Sequence, residues 1–242
     1  MIDTIICGDC LEVMPTIPDK SVDMVLADLP YGVTACKWDT PLPLDDLWRE
    51  WLRICKGAIV LTGTQPFTTT LIDSNRELFR YSLVWDKLIP RGFLNANRIP
   101  MRCHEDILIF YEQFKTYNPQ KEKGIPLSWK ASKNYIDKNK TYQGANTDGN
   151  RTNYSTRFPR SIIRVMGVIN NSKEKSHPTQ KPVALFEYLI RTYTNECDTV
   201  LDPTAGSGTT AVACRKSNRH YICIEKEPEY CAIAEKRIAE ML

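Results

Sequence analysis

The stretch Asp202-Pro203-Thr204-Ala205-Gly206-Ser207-Gly208-Thr209-Thr210 constrains the fold more than any other part of the 242-residue chain. The β-branched and apolar run Thr199-Val200-Leu201 leads straight into it and a helix-like run follows, so it reads as a strand-to-helix turn. Gly206 and Gly208 let the backbone bend sharply and approach a ligand with no Cβ in the way. With Ala211 they satisfy the G-x-G-x-x-G/A spacing of a nucleotide-binding turn. Glu225, which closes the next apolar run Tyr221-Ile222-Cys223-Ile224, stands where a ribose-binding acid is expected. A glycine turn that holds no ligand satisfies the same pattern.

Asp202 narrows the ligand. A carboxylate at the strand end repels the pyrophosphate of a dinucleotide, which disfavours a nicotinamide-linked dehydrogenase, and suits a ligand carrying an ammonium and a sulfonium. S-Adenosylmethionine is such a ligand. The competing role for Asp202, and for Asp9 earlier in the chain, is a helix N-cap.

Seven short apolar runs are spaced along the sequence: Ile5–Cys7, Val22–Ala27, Ala58–Leu61, Leu83–Trp85, Ile107–Tyr111, Val200–Leu201 and Tyr221–Ile224. Helical periodicity lies between them. It places Leu44, Leu47, Trp48, Trp51 and Leu52 on one face over 44–55, and a less regular helix over 67–79. Pro182 opens a third helix, with Leu185, Phe186, Leu189, Ile190 and Tyr193 inward and Glu187 paired with Arg191. Pro228 opens the last, with Tyr230, Ile233, Ile238 and Met241 inward. Strands alternating with helices predict an α/β fold with a parallel sheet and ligands at the carboxyl ends of its strands. The glycine turn falls in the last quarter, however, with no room after Glu225 for a third βα unit. The sheet must therefore borrow strands from the N-terminal half. This circular permutation sets the strand ends at Asp9 and Asp28 beside the glycine turn in one composite site.

The length supports one sizeable core, or one core with an inserted module. No segment is long and apolar enough to span a membrane, and the start, Met1-Ile2-Asp3-Thr4, lacks the features of a signal peptide; a cytoplasmic protein with reduced thiols is expected. Of nine cysteines, Cys7 and Cys10 form a C-x-x-C pair, but no second pair lies at zinc-ligand spacing. Small buried side chains, and no metal, are the expectation. Charge is uneven: Lys115, Lys121, Lys123, Lys130, Lys133, Lys138, Lys140, Arg151, Arg157 and Arg160 face only three acidic residues over 115–160, a net +7 in a chain of net +3. Interleaved with Tyr117, Trp129, Tyr135, Tyr142, Tyr154 and Phe158, this charge suits phosphate contact and base stacking; a solvated insertion is the other reading.

Three motifs then agree in order and spacing. Asp28-Leu29-Pro30-Tyr31, Ser176-His177-Pro178-Thr179-Gln180-Lys181-Pro182 and the glycine turn resemble those of the beta class of DNA amino-methyltransferases, which carry a D-P-P-Y motif early and the cofactor motif late. Gly8-Asp9, Val84-Trp85-Asp86-Lys87, His104-Glu105 and Glu225–Tyr230 extend the resemblance over most of the chain outside 115–160. Leu29 departs from the family's proline; it keeps the carbonyl acceptor but loosens the loop.

The resemblance implies a circularly permuted, seven-stranded and mostly parallel sheet of the Rossmann-like methyltransferase type, its last strand antiparallel. Residues 1–114 form its catalytic part, 161–242 its cofactor-binding part, and 115–160 the target-recognition insertion. It implies S-adenosylmethionine as methyl donor and duplex DNA as substrate. The Asp28 carboxylate and Leu29 carbonyl would accept the hydrogens of the target amine, and Tyr31, following Pro30, would stack on a flipped base. Asp9 and Cys10 would lie by the cofactor's adenine, and Glu225 on its ribose hydroxyls. Thr204, Ala205, Gly206, Ser207 and Gly208 would lie under the methionine portion, His177, Thr179 and Lys181 would meet the carboxylate end, and Asp28, Asp202, Pro203, Thr209 and Lys226 complete the cofactor-binding residues. Taken singly, His177-Pro178 also reads as a turn and Lys181 as a solvated charge. Aspartate at position 28, where N4-cytosine members more often carry serine, favours adenine N6 as the target over cytosine N4. A non-catalytic DNA-binding relative is the reading outside catalysis. A cognate restriction endonuclease and a second copy of the chain are the protein partners such an enzyme would have.

Overall fold

Period-two alternation sorts the strand residues onto two buried faces. In a computed structural model, which describes residues 2–32, 40–113, 115–123, 156–168 and 180–241, the chain divides into two units. The larger comprises Met1–Asn118 and Arg160–Leu242, the smaller Pro119–Pro159.

The larger unit contains β1 (Thr4–Cys7), α1 (Cys10–Val13), β2 (Val22–Ala27), α2 (Leu44–Ile54), β3 (Cys55–Gly63), α3 (Phe67–Ser74), β4 (Phe79–Arg91) and β5 (Arg102–Phe110). The smaller contributes β6 (Glu122–Lys123) and β7 (Thr156–Arg157); the chain then returns through β8 (Ile162–Arg164), α4 (Val183–Tyr193), β9 (Thr199–Asp202), α5 (Thr209–Ser217), β10 (His220–Glu225) and α6 (Pro228–Ala239). The main sheet has the order β1-β10-β9-β2-β3-β5-β4-β8. Its neighbours are parallel except around β5, which runs antiparallel to both β3 and β4. Counted from the strand that feeds the glycine turn, in the order β9, β10, β1, β2, β3, β4, β5, the antiparallel strand is the last of seven. The permutation inferred from motif order is thus present in the strand order.

Val25, Ala27, Leu108, Phe110, Leu201 and Ile222 face one layer with Met14, Trp48, Trp51 and Leu71, from the helical segments between β1 and β4. Their neighbours Met24, Leu26, Ile107, Ile109, Val200 and Tyr221 face the other layer, against Leu185, Phe186, Leu189, Ile190 and Tyr193 of α4 and Ala211, Ala213 and Cys214 of α5. Burying both faces is what makes the strands read as continuous apolar runs.

Several expectations are corrected. Leu52 is 38 % exposed and Ile54 takes the inward place, because Trp51 and Ile54 continue the i, i+3 stripe of Leu47 and Trp48. Helix α3 stops at Ser74 rather than 79, and β4 begins at Phe79, far ahead of its apolar center Leu83–Trp85. An eighth strand, β8, lies on the sheet edge beside β4; its three residues are too few to stand out in the sequence. In α6 the buried residues are Cys231 and Ala234, while Met241, just past its end, is exposed. Five of the eight described cysteines are buried, but Cys7, Cys103 and Cys197 are exposed; all eight are free thiols.

In the smaller unit β6 and β7 pair antiparallel, and the Lys121 ammonium sits 4.7 Å from the center of the Phe158 ring. Lys123 and Arg157 also belong to this unit, while Lys115 and Arg160 belong to the larger one. Lys130, Lys133, Lys138, Lys140 and Arg151, with Trp129, Tyr135, Tyr142 and Tyr154, lie outside the described residues. Tyr117, expected among the base-stacking aromatics, has its ring 6.3 Å from that of Tyr193, and Asn118 donates its amide N–H to the Thr192 carbonyl at 2.7 Å.

Candidate active site

The carboxyl ends of β9 and β2 lie side by side where the strand order reverses, β9 leading outward to β10 and β2 to β3. Such a switch point leaves a crevice above the strand ends. Here it is a cavity of about 790 Å³, wholly within the larger unit. Asp9 and Cys10 reach it from the end of β1, Asp28–Tyr31 from β2, Asp202 and the glycine turn from β9, Glu225 and Lys226 from β10, and Lys181 from the approach to α4. Among the described residues, every residue expected at the cofactor lines the cavity except Gly208; His177 and Thr179 lie outside the described residues. Gly208 has another task. At φ +75° a Cβ there would stand 2.7 Å from Cβ of Ala234, so glycine is what lets α6 close against the turn.

The turn is held by its own acids. Glu225 Oε2 accepts the Gly206 N–H at 2.7 Å and Oε1 the Glu227 N–H at 2.8 Å; burial raises its carboxyl above the ordinary value. Asp9 accepts the Leu11 N–H at 2.9 Å as N-cap of α1, a bond that lowers its carboxyl pKa, and its other oxygen pairs with Lys226 at 3.1 Å. The cap role and the cavity position therefore coexist in Asp9. Cys10 is a neutral thiol, pushed up to about 11 by burial.

Asp202 is buried, accepts the Thr204 N–H at 3.1 Å and the Thr210 hydroxyl, and meets no cationic side chain among the described residues. Burial pushes its carboxyl up to about 7, helped by the negative charges of Asp28 and Glu225. It is not a helix N-cap, since α5 is capped by Gly208. A buried carboxylate lacking a cation fits a cationic ligand, and this gives a prediction. Bound positive charge favours the ionised form, so below pH 7 a proton must leave as the cofactor binds. Affinity for S-adenosylmethionine is expected to rise roughly five- to tenfold from pH 6 to 7.5, following the ionised fraction of Asp202. Calorimetry at the two pH values should show this rise in the wild type and lose it in Asp202→Asn. For the cofactor-free fold the sign is opposite. The folded chain keeps a proton that the unfolded chain releases from about pH 4, so stability falls as pH rises toward 7.

Beside the glycine turn lies a second cluster. Asp28 Oδ1 accepts from the Thr62 hydroxyl at 2.5 Å and the Tyr31 hydroxyl at 3.0 Å, while Oδ2 pairs with Lys181 at 2.6 Å. The Thr204 hydroxyl donates to the Asp28 carbonyl at 3.1 Å, tying the two motifs together. Lys181 is buried rather than solvated. Against the cost of burial, the Asp28 carboxylate with Tyr31 and Glu105 holds its ammonium well above the ordinary value. Lys181 also lies 3.3 Å from Glu105 Oε2, and Glu105 Oε1 pairs with Lys87. Lys181, expected at the cofactor's carboxylate end, lines the cavity and is held in an ion pair with Asp28, within a chain of alternating charge from Asp28 through Lys181 and Glu105 to Lys87. Leu29 is buried in the core layer of α2, and the Tyr31 ring packs on Phe67 at 5.1 Å.

Thr62, Lys87 and Glu105 carry no role in the sequence reading, although Trp85-Asp86-Lys87 and His104-Glu105 stand out there as motifs. What joins them is the antiparallel register of β4 and β5, which pairs Trp85 with Glu105 and Asp86 with His104. Among the described residues no group of three metal-ligating side chains converges.

A permuted Rossmann-like sheet, a glycine turn and an acid at each neighbouring strand end define an S-adenosylmethionine-dependent methyltransferase. Comparison with known proteins agrees. Residues 22–236 match the DNA methylase family, and the chain belongs to it. It is 27 % identical to the type II methyltransferase M.HinfI of Haemophilus influenzae, over 99 % of this chain and 69 % of that one. The M1.HpyAVI complex with S-adenosylmethionine superposes with TM-score 0.64 at 25 % identity, covering 97 % of this chain and 98 % of the other. The cytosine-N4-specific PvuII DNA methyltransferase has the same fold, with TM-score 0.64 at 18 % identity over 97 % and 85 % of the two chains.

Proposed function

We propose that this DNA methyltransferase modifies the N6 amine of adenine in duplex DNA, using Asp28-Leu29-Pro30-Tyr31 as its catalytic motif. The observation that carries the reading is the Asp28 carboxylate, which faces the cavity and is braced from two sides by Thr62 and Lys181.

An exocyclic amine is a weak nucleophile because its lone pair is delocalised into the ring. Acceptors that grip its hydrogens favour a pyramidal nitrogen and stabilise the positive charge that develops on it. Asp28 Oδ1 and the Leu29 carbonyl supply two such acceptors. The incoming amine takes over the position on Oδ1 now filled by the Tyr31 hydroxyl, which frees the ring of Tyr31 to stack on the extruded base. Thr62 and Lys181 keep the carboxylate aimed as that exchange occurs. S-Adenosylmethionine, when bound, supplies an electrophilic methyl group. Glu225 and Asp9 would hold its nucleoside, the backbone from Thr204 to Ser207 its methionine portion, and Asp202 its ammonium.

The basic interval 115–160, with Lys121, Lys123 and Arg157 in the smaller unit, is read as the target-recognition region on its charge. Cytosine N4 is the rival target. Incubation with labelled S-adenosylmethionine and mixed-sequence DNA, then nucleoside analysis, decides: N6-methyladenine is expected, and label only in N4-methylcytosine would overturn the reading.

A further inference from the structure

Strands β4 and β5 continue beyond the sheet into a hairpin whose last pair is Arg91 with Arg102. Its tip is apolar and bare. Phe93 is 78 % and Leu94 97 % exposed, with Leu88 and Ile99 about half exposed behind them. The tip is nonetheless a built turn. Gly92 reverses the chain at φ +92°, and the Asn95, Ala96, Arg98 and Ile99 amides donate to the Gly92, Phe93, Asn95 and Asn95 carbonyls at 2.9–3.0 Å. Its base is braced as well, by Arg91 Nη2 on the Val168 carbonyl at 2.6 Å and by the Gly167 N–H on the Lys87 carbonyl at 3.0 Å. From 87 to 104 the sequence holds Lys87, Arg91, Arg98 and Arg102 and no acidic residue. Arg91, Gly92 and Arg102 line the same cavity as Asp28.

An exposed apolar tip carried on an all-basic stem at the mouth of the catalytic cavity fits one partner, a polyanion with an apolar interior. We propose that the hairpin enters the target duplex, Phe93 and Leu94 occupying the gap left in the base stack when the target base is withdrawn, with Arg91, Arg98 and Arg102 meeting the flanking phosphates. This inference rests on duplex DNA being the substrate. Extruding a base costs its stacking and pairing, and apolar wedges inserted between base steps offset part of that cost. A second copy of the chain docking hairpin to hairpin would instead bring like charges together.

The test compares two duplexes with the Phe93→Ala/Leu94→Ala protein: one fully paired, one with an abasic site opposite the target base, where extrusion is already cheap. On the paired duplex kcat/KM is expected to fall roughly tenfold or more, and on the abasic duplex to stay within about twofold of wild type. Phe93→Trp, which keeps a stacking ring, should retain activity on both. Equal loss on the two duplexes, or no loss on either, would overturn the proposal. Equal loss accompanied by conversion of a wild-type dimer to monomer in sedimentation would assign the tip to a second copy. A wild-type protein that methylates neither duplex would instead count against the duplex substrate itself.

Discussion

Asp28→Asn protein is expected to bind S-adenosylmethionine and DNA yet transfer methyl groups about a hundredfold more slowly, or worse, than wild type in single-turnover measurements. Asparagine keeps the volume and one acceptor oxygen, but removes the negative charge that faces a cation forming on the amine. Alanine looks harmless at a strand end in the sequence; the structure argues against using it. Either substitution takes the charge away from the buried Lys181, and breaking a buried ion pair costs about 3–5 kcal/mol. Alanine also removes every acceptor for Lys181 and Thr62 at that point and leaves Lys181 with only Glu105 at 3.3 Å, which would further confuse instability with lost chemistry. A melting curve should accompany the rate. Near-normal transfer by a folded Asp28→Asn protein would remove Asp28 from the chemistry.

The second large effect is expected at Glu225. Glu225→Ala should weaken S-adenosylmethionine binding by about 2–4 kcal/mol, a loss of tens- to several hundredfold in affinity. Two causes act together. The charged acceptors proposed for the ribose hydroxyls disappear, and the Gly206 and Glu227 amides lose the carboxylate that orders the glycine turn. Glu225→Gln separates them, since its amide oxygen can still accept one of the two N–H groups; an intermediate affinity is expected. Calorimetry that returns wild-type affinity for the folded alanine variant would take Glu225 out of the cofactor site.

The strand positions were legible because five of the seven apolar runs, those of β2, β3, β5, β9 and β10, are buried on both faces, and hydrophobic continuity alone reveals such strands; the runs at Ile5–Cys7 and Leu83–Trp85, only partly buried, stood out by their apolar composition. The glycine turn and the acids at 9, 28, 202 and 225 were legible for a different reason: a parallel sheet puts every strand's carboxyl end at one edge, so order along the chain predicts neighbourhood in space. The alternating charges of Asp28, Lys181, Glu105 and Lys87 were not. Lys181 lies 153 residues from the carboxylate it pairs with, and Glu105 meets Lys87 through a strand register that no local pattern encodes. The hairpin tip escaped notice for the opposite reason, since exposed Phe93 and Leu94 read in sequence like any other apolar pair.

The strand order also governs when this enzyme can exist during its own synthesis. Strand β2 pairs with β9, and β1 with β10, so two strands synthesised before residue 30 must wait for two synthesised after residue 198. Until about residue 202 has emerged, β2 presents an unpaired parallel edge of Met24, Val25 and Leu26, all fully buried in the finished sheet. The cofactor crevice, bounded by β9 and β10, is therefore among the last features to form. A nascent chain carrying Asp28 has the proposed catalytic motif but nothing with which to hold a methyl donor, and methylation can begin only when the chain's two halves have closed on each other.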